Sequence, residues 1–327
     1  MFIAGRFIRI PSEQIVQSAQ FLGQHVLMLA AVLLVFSVAS AALFWRMLER
    51  HPNDFWDRIN RLVQRFSSRI PIQSVIKRYP KISSFLFHRF VPAEYLGLHL
   101  TIGVIIISVT TFVFLQIADE VGEQEWLTTF DQAFSVAMHE YSSKAGIWVF
   151  EQVTQLGSAP TLGTIGFITA ISLLLLRQWT LLAGWISALV GIGILDFVLK
   201  GIFQRVRPML DHPWTTETGW SFPSGHAVGT VIVYGFLAYM LVLIARRTSQ
   251  RVAIFTAWIT IAAAVGLSRL YLGVHYFSDV LAGFVVALGW LAVCVTGCEI
   301  ARHGRNNPAK ATTPDHHGYD VSKKRSG

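Results

Sequence analysis

The chain has 327 residues, 53% of them hydrophobic and only 14% charged, where a soluble domain carries about 25% charged residues. The missing charge is concentrated in long apolar runs that do not alternate, which excludes both an ordinary soluble domain and a barrel of membrane strands. The net charge of +8 is placed by membrane side and not along one face, which excludes nucleic acid as its partner.

In chain order, residues 1–20 form a short end, and the first of seven predicted spans covers about 24–45. This span carries Ala39-Ser40-Ala41, which resembles a signal-peptidase site, but the basic segment that follows fits a retained anchor better. Ten Lys and Arg lie between Arg46 and Arg89. Within that stretch Phe55, Ile59, Leu62, Val63, Phe66 and Ile70 recur at helical spacing, punctuated by Arg58, Arg61, Arg65 and Arg69. An amphipathic helix on an anionic inner leaflet and a solvated basic loop fit that pattern equally well.

A second span is expected at 95–117, followed by Asp119 to Glu151 with seven acidic residues and only Lys144. There Trp126, Phe130, Phe134 and Met138 make an apolar stripe, read as packing. Further spans are expected at 158–176, 179–200, 226–245, 252–271 and 277–298. Cys294 and Cys298, one helical turn apart in the last of these, are read as a reduced, buried pair and not a metal site. The polar tail after Glu299, with His316-His317, is read as disordered. The expected fold is an all-α integral membrane protein. It comprises an N-terminal helix and basic segment (1–94), a six-helix core (95–300) and a basic tail (301–327).

Lysine and arginine collect on the cytoplasmic side. That rule puts 46–92, Arg177, Arg246, Arg247, Arg251 and the tail inside, which accounts for 20 of the 27 basic residues. The seven left outside are Arg6, Arg9, Lys144, Lys200, Arg205, Arg207 and Arg269. Four of these fall in or beside three polar segments at predicted helix ends: KGIFQRVRP (200–208), PSGH (223–226) and SRLYLGVHYFSD (268–279). Alternating spans bring all three segments to one outer surface.

Charge within the membrane is costly, so this clustering needs a reason. Singly, each piece has a bland reading: His275 and Asp279 as a structural pair, PSGH as a turn, Lys200 and Arg207 as snorkelling anchors. Together they suit a phosphate group, which Arg grips bidentately and Lys attracts as a point charge. Pro223 and Gly225 fit a turn into a helix whose free N–H groups bind anions. Ser224 adds a hydroxyl donor, and His226 on the first turn is placed to protonate a leaving group. His275 and Asp279, four apart, share a helical face, so that the carboxylate can fix the imidazole tautomer and leave the other nitrogen as a nucleophile.

The combined pattern K-x6-RP, PSGH, SR-x5-H-x3-D resembles the type-2 phosphatidic acid phosphatase family of membrane lipid phosphatases, soluble acid phosphatases and vanadium haloperoxidases. The resemblance covers about residues 95–300. It implies that His275 attacks phosphorus and forms a phosphohistidine, that Asp279 orients it, and that His226 protonates the leaving oxygen. It further implies that Lys200, Arg207, Arg269, Ser224 and the Gly225 backbone hold the phosphate without a metal or other cofactor. Arg205 stands outside the core pattern as a supporting residue, and Asp196 is expected to pair with Lys200.

The N-terminal helix departs from the family's six-span plan, and an oligomer contact or a membrane anchor is the modest reading of it. The expected activity is hydrolysis of a phosphorylated membrane lipid at the outer face of a bacterial inner membrane, with the C-terminus cytoplasmic. Undecaprenyl diphosphate, phosphatidylglycerol phosphate and phosphatidic acid are the candidate substrates. A lipid phosphotransferase and a non-catalytic transporter or binder of phosphorylated lipid are the alternatives. His212, Trp214 and Glu217 in the loop before PSGH are expected to face water or the interface more often than a headgroup.

Overall fold

The computed structural model describes residues 12–28, 95–123, 126–210, 214–215 and 217–306. Most of the predicted first span, the basic segment 55–70, His212 and the tail beyond 306 lie outside the described residues. Residues 12–28 form a helix, α1. It is followed by α2 (Tyr95–Glu123), α3 (Trp126–Glu140), α4 (Lys144–Thr154), a 3-10 turn (Gln155–Gly157) and α5 (Ala159–Leu175). The remaining helices are α6 (Trp179–Phe203), α7 (Gly225–Ile244), α8 (Thr248–Tyr271) and α9 (Phe277–Asn306). No strand occurs among the described residues.

Among the described residues, six segments are long and apolar enough to cross a membrane: 100–123, 144–175, 179–203, 225–244, 248–271 and 277–303. They match the six predicted core spans, with one difference. The expected span 158–176 is preceded by α4 and the 3-10 turn, so its element begins at Lys144. Ser143 starts α4 by accepting a hydrogen bond from the Gly146 N–H at 3.1 Å, and Pro160 sits at the start of α5, where a missing N–H is harmless.

Outward-facing side chains fit a lipid solvent. Phe197 on α6 is 82% exposed and Phe167 on α5 is 69% exposed, placements that water would penalise. Inward, small residues let helices approach closely, as membrane packing favours. Gly191 on α6 lies directly against the indole of Trp290 on α9, and Gly184 against Cys298 and Phe236. The Trp185 indole N–H donates to Gly166 O at 2.9 Å, tying α6 to α5. Cys294 and Cys298 are free thiols buried in this core.

A second cluster gathers α1, α3, α4 and α8 around Ala19, Phe134, Met138, Ile147 and Tyr271. The stripe on α3 is therefore packing for Phe134 and Met138, while Trp126 stays exposed. Gln24 of α1 donates to the Tyr141 hydroxyl at 2.9 Å just beyond α3. A third cluster buries Phe222 completely among Phe114, Phe203 and Ala282, anchoring the chain one residue before PSGH.

Candidate active site

Four helix ends meet here: the C-termini of α6 and α8 and the N-termini of α7 and α9. Gln204 in the left-handed conformation (φ 44°) stops α6 four residues after Lys200 and sends the chain back across the bundle end. Arg205 and Arg207 are thereby carried off the helix and over the start of α9. Between α8 and α9 only residues 272–276 intervene, with Gly273 at φ 69°, a backbone setting suited to glycine. This tight turn places His275 near Arg269, with Asp279 one helical turn further on.

His275 is 2% exposed. Its Nδ1 lies 3.3 Å from Asp279 Oδ2, and its Nε2 lies 3.1 Å from Arg207 Nη1. A guanidinium only donates, so Nε2 is the acceptor and Nδ1 carries the proton toward Asp279. That is the tautomer a nucleophilic Nε2 requires. Burial pushes the His275 pKa below its ordinary value; the Asp279 carboxylate opposes this, and the nearby Arg269 and Arg207 charges add to it.

Asp279 is fully buried. Its Oδ2 also accepts the Tyr276 N–H at 2.9 Å, and its Oδ1 accepts from Arg205 Nη1 at 2.6 Å. The Asp279 carbonyl accepts the Ser224 N–H at 3.0 Å, which locks the PSGH turn onto α9.

Arg207 and Arg269 converge on one carboxylate, that of Glu217. Arg207 Nη1 lies 3.1 Å from Glu217 Oε2, and Arg269 Nη2 donates to Glu217 Oε1. Arg207 is held further by donation from Nη1 to Val274 O at 2.8 Å and from Nε to Gly219 O at 3.1 Å. Arg269, 2% exposed, donates from Nη1 to Thr154 Oγ1 at 2.9 Å. Burial alone would raise the Glu217 pKa, but Arg269, then His275 and Arg207, hold it below the usual carboxylate range. The sequence placed Glu217 facing water or the interface; the structure corrects this, because two cations draw its carboxylate inward beside His275. Trp214 is 39% exposed and its ring lies 5.2 Å from that of His139.

Ser224 starts α7, and its buried hydroxyl has no hydrogen-bond partner among the described residues; the same holds for Arg269 Nε. Lys200 pairs with Asp196 at 2.8 Å, as expected. A Cβ at 225 would stand 2.8 Å from Asp196 Oδ1 and 3.7 Å from Lys200 Nζ. Glycine at this position therefore admits the Asp196–Lys200 pair against the start of α7. His226 follows on the first turn, within electrostatic range of Arg269, Glu217, His275 and Lys200.

All nine expected residues thus gather at one end of the bundle. Three contributors were not singled out from the sequence as site residues. Thr154 reaches Arg269, Ser278 reaches Arg205, and Asp131 of α3 reaches both Arg205 and Ser278. Asp131 stood among the seven acids of the outer segment with no motif around it. Its only sequence signal is its place between Phe130 and Phe134 on the packed side of an amphipathic helix.

The all-helical bundle, with membrane-length spans and His, Asp, Arg and Lys gathered at one end, is similar to known membrane phosphatases. Residues 179–299 match the PAP2 superfamily, which bears out the resemblance carried by the three motifs. The chain is 41% identical over 96 residues to phosphatidylglycerophosphatase B of Bacillus subtilis (29% of this chain, 47% of that protein). It is 31% identical over 142 residues to lipid A 1-phosphatase of Rhizobium etli (39% of this chain, 56% of that protein). The chain thus spans about half the length of the curated relatives it matches. The crystal structure of a transmembrane PAP2-type phosphatidylglycerolphosphate phosphatase from Bacillus subtilis superposes with a TM-score of 0.53 at 28% identity, covering 63% of this chain and 98% of that one.

Proposed function

We propose that the chain is a metal-independent membrane lipid phosphatase that works through a phosphohistidine at the outer membrane face. The observation that carries this reading is the pair Arg207 and Arg269, focused on a single anionic group beside the acceptor nitrogen of a buried His275 backed by Asp279. A phosphate in the place of the Glu217 carboxylate meets the same two guanidinium groups, with the Ser224 hydroxyl, Lys200 and the start of α7 alongside.

The chemistry balances with these groups alone. His275 Nε2 forms the bond to phosphorus as the bond to the ester oxygen breaks, and His226 delivers its proton to that oxygen. Asp279 stabilises the ring as it gains positive charge. Water then attacks the phosphohistidine, His226 takes back a proton, and inorganic phosphate leaves. Arginines and helix N–H groups fixed in place supply the stabilisation of the transferring phosphoryl group.

A lipid substrate follows from what surrounds the cations. Phe197, Ile202, Val206 and Met209 are 82%, 66%, 54% and 86% exposed, interleaved in sequence with Lys200, Arg205 and Arg207. Acyl or prenyl chains can lie against this apolar surface while the headgroup reaches the cations. The curated relatives are named for phosphorylated lipids, which supports the same substrate class.

The test is phosphate release by purified protein, with chelator present, from a panel of phosphatidylglycerol phosphate, phosphatidic acid and undecaprenyl diphosphate. Release that is abolished in His275→Ala, together with acid-labile phosphate trapped on the wild-type protein, is the expected result. Hydrolysis persisting in His275→Ala removes the nucleophile assignment.

A further inference from the structure

Arg205 lies away from the arginine pair that holds Glu217 and serves a different purpose. Its Nη1 donates to Asp279 Oδ1 at 2.6 Å and to Ser278 Oγ at 2.7 Å. Its Nη2 donates to Asp131 Oδ2 at 2.8 Å, and its guanidinium lies 4.3 Å over the Tyr276 ring. One cation is thus shared by two fully buried carboxylates, one on α9 and one on α3. Asp131 is fully engaged: Oδ1 accepts the Ser278 N–H at 3.0 Å, and Oδ2 accepts the Ser278 hydroxyl as well as Arg205. The Ser278 N–H belongs to the first turn of α9, so Asp131 also caps, from another helix, the turn that carries Asp279.

The division of Arg205 between two carboxylates has an electrostatic consequence. Asp279 must keep enough negative character to hold the Nδ1 proton of His275 and to stabilise the ring once Nε2 bonds to phosphorus. A guanidinium devoted to Asp279 alone would drain that character; a second carboxylate on its far side restrains it. A buried ion pair is a weak device for stability alone, since apolar packing of equal volume serves as well or better. Asp131 lies outside residues 179–299, the part of the chain that matches the family.

We propose that Asp131 is a positioning residue for the phosphatase reaction, acting through Arg205 and Ser278 to set how firmly Asp279 holds His275. The proposal rests on the phosphohistidine reading given above. It makes α3, which is not one of the membrane-length spans, part of the machinery that tunes the nucleophile.

The test is Asp131→Asn, compared with wild type for kcat, KM and pH profile on whichever lipid phosphate the panel identifies. The asparagine oxygen can still accept the Ser278 N–H, but its amide group faces Arg205 donor to donor, so Arg205 turns wholly to Asp279. The groups around His275 are Asp279 from α9, Arg207 and Glu217 from the loop, Arg269 from α8 and His226 from α7; only the first changes its pull. A kcat lower by about tenfold with KM within about threefold is expected, and the acid limb of kcat/KM should move to lower pH by about half a unit, because His275 loses negative charge. In an Arg205→Gln background, Asp131→Asn should cause no further loss.

An unchanged acid limb, or losses that multiply in the double variant, would show that Asp131 only supports the fold. If Asp131→Asn does not stay monodisperse in detergent, Ser278→Ala makes the same comparison. It severs the shared hydroxyl and should shift the limb in the same direction by less; an unshifted limb there also overturns the proposal. His275→Ala runs alongside as the separate control. If it stays active the phosphohistidine reading fails, whereas a dead His275→Ala with a silent Asp131→Asn defeats only the positioning role.

Discussion

At Glu217 a carboxylate sits on Arg207 and Arg269, two of the three cationic side chains that the family motif assigns to phosphate. An incoming phosphate and this carboxylate compete for the same donors. Glu217→Gln should therefore tighten inhibition by vanadate or inorganic phosphate by about tenfold, the worth of one charge-assisted hydrogen bond. Inhibition constants for the two proteins check this; equal values would mean that Glu217 leaves the arginines without cost. The depressed Glu217 pKa has a definite sign. The bridge contributes stability above the ordinary carboxylate value of about 4.3 and loses it as pH falls through the lower folded value. For His275 the direction also sets a limb. The ring must be neutral to attack, and burial lowers its pKa, so the rate should rise with pH through a value below about 6.5. A pH profile of kcat/KM reads this limb. The identities of His275, Asp279, Arg207 and Arg269 were legible in the sequence because their spacing is chemical. Glu217 was not, because a carboxylate in a loop is drawn inward only by cations that the fold delivers.

At the scale of elements, the site depends on helix ends held in register by close contacts between α6, α7 and α9. Gly191 is the tightest of these, with the Trp290 indole filling the space a Cβ would need. The indole is rigid and its N–H donates to Ser187 O at 3.3 Å, so it has little room to yield. Gly191→Ala should destabilise the detergent-solubilised protein by about 1–3 kcal/mol through overpacking. Gly193→Ala, two residues on with nothing within 4 Å of its Cβ position, should leave the thermal midpoint near wild type. Equal midpoints for both variants would show that α6 and α9 part freely. The spans themselves were legible because twenty apolar residues in a row have one stable solution in lipid. The break at Gln155–Gly157 was not: α4 is a short, partly polar helix whose place against α8 follows from Ile147 and Tyr271 packing together.

For the whole molecule, the six spans carry the His, Asp, Arg and Lys cluster at one end and a separate polar group at the other, where Glu299 accepts from Tyr239 at 2.7 Å and from Arg302 at 3.1 Å. The Arg246, Arg247 and Arg251 cluster lies at the same end as Glu299, and by the charge rule it favours the proposed arrangement, with that end cytoplasmic and the site outside. In a variant lacking Cys294 and Cys298, a cysteine at Thr215 should react with an impermeant thiol reagent on intact cells, and a cysteine at Arg247 only after lysis. The reverse pattern would put the site on the cytoplasmic face and with it a different pool of lipid.

The solvent, the helical class, the positions of the six core spans and the nine expected site residues, eight in the motif and Arg205 beside it, were all readable from the chain alone, because hydropathy and motif spacing are properties of neighbours along it. Only the tertiary structure decided which anion sits on Arg207 and Arg269, and that Arg205 is shared between Asp279 and Asp131. Those decisions are made by charges as many as 148 residues apart in the chain, Asp131 and Asp279 among them. Such charges act on one another only once buried together, where few other groups remain to satisfy them.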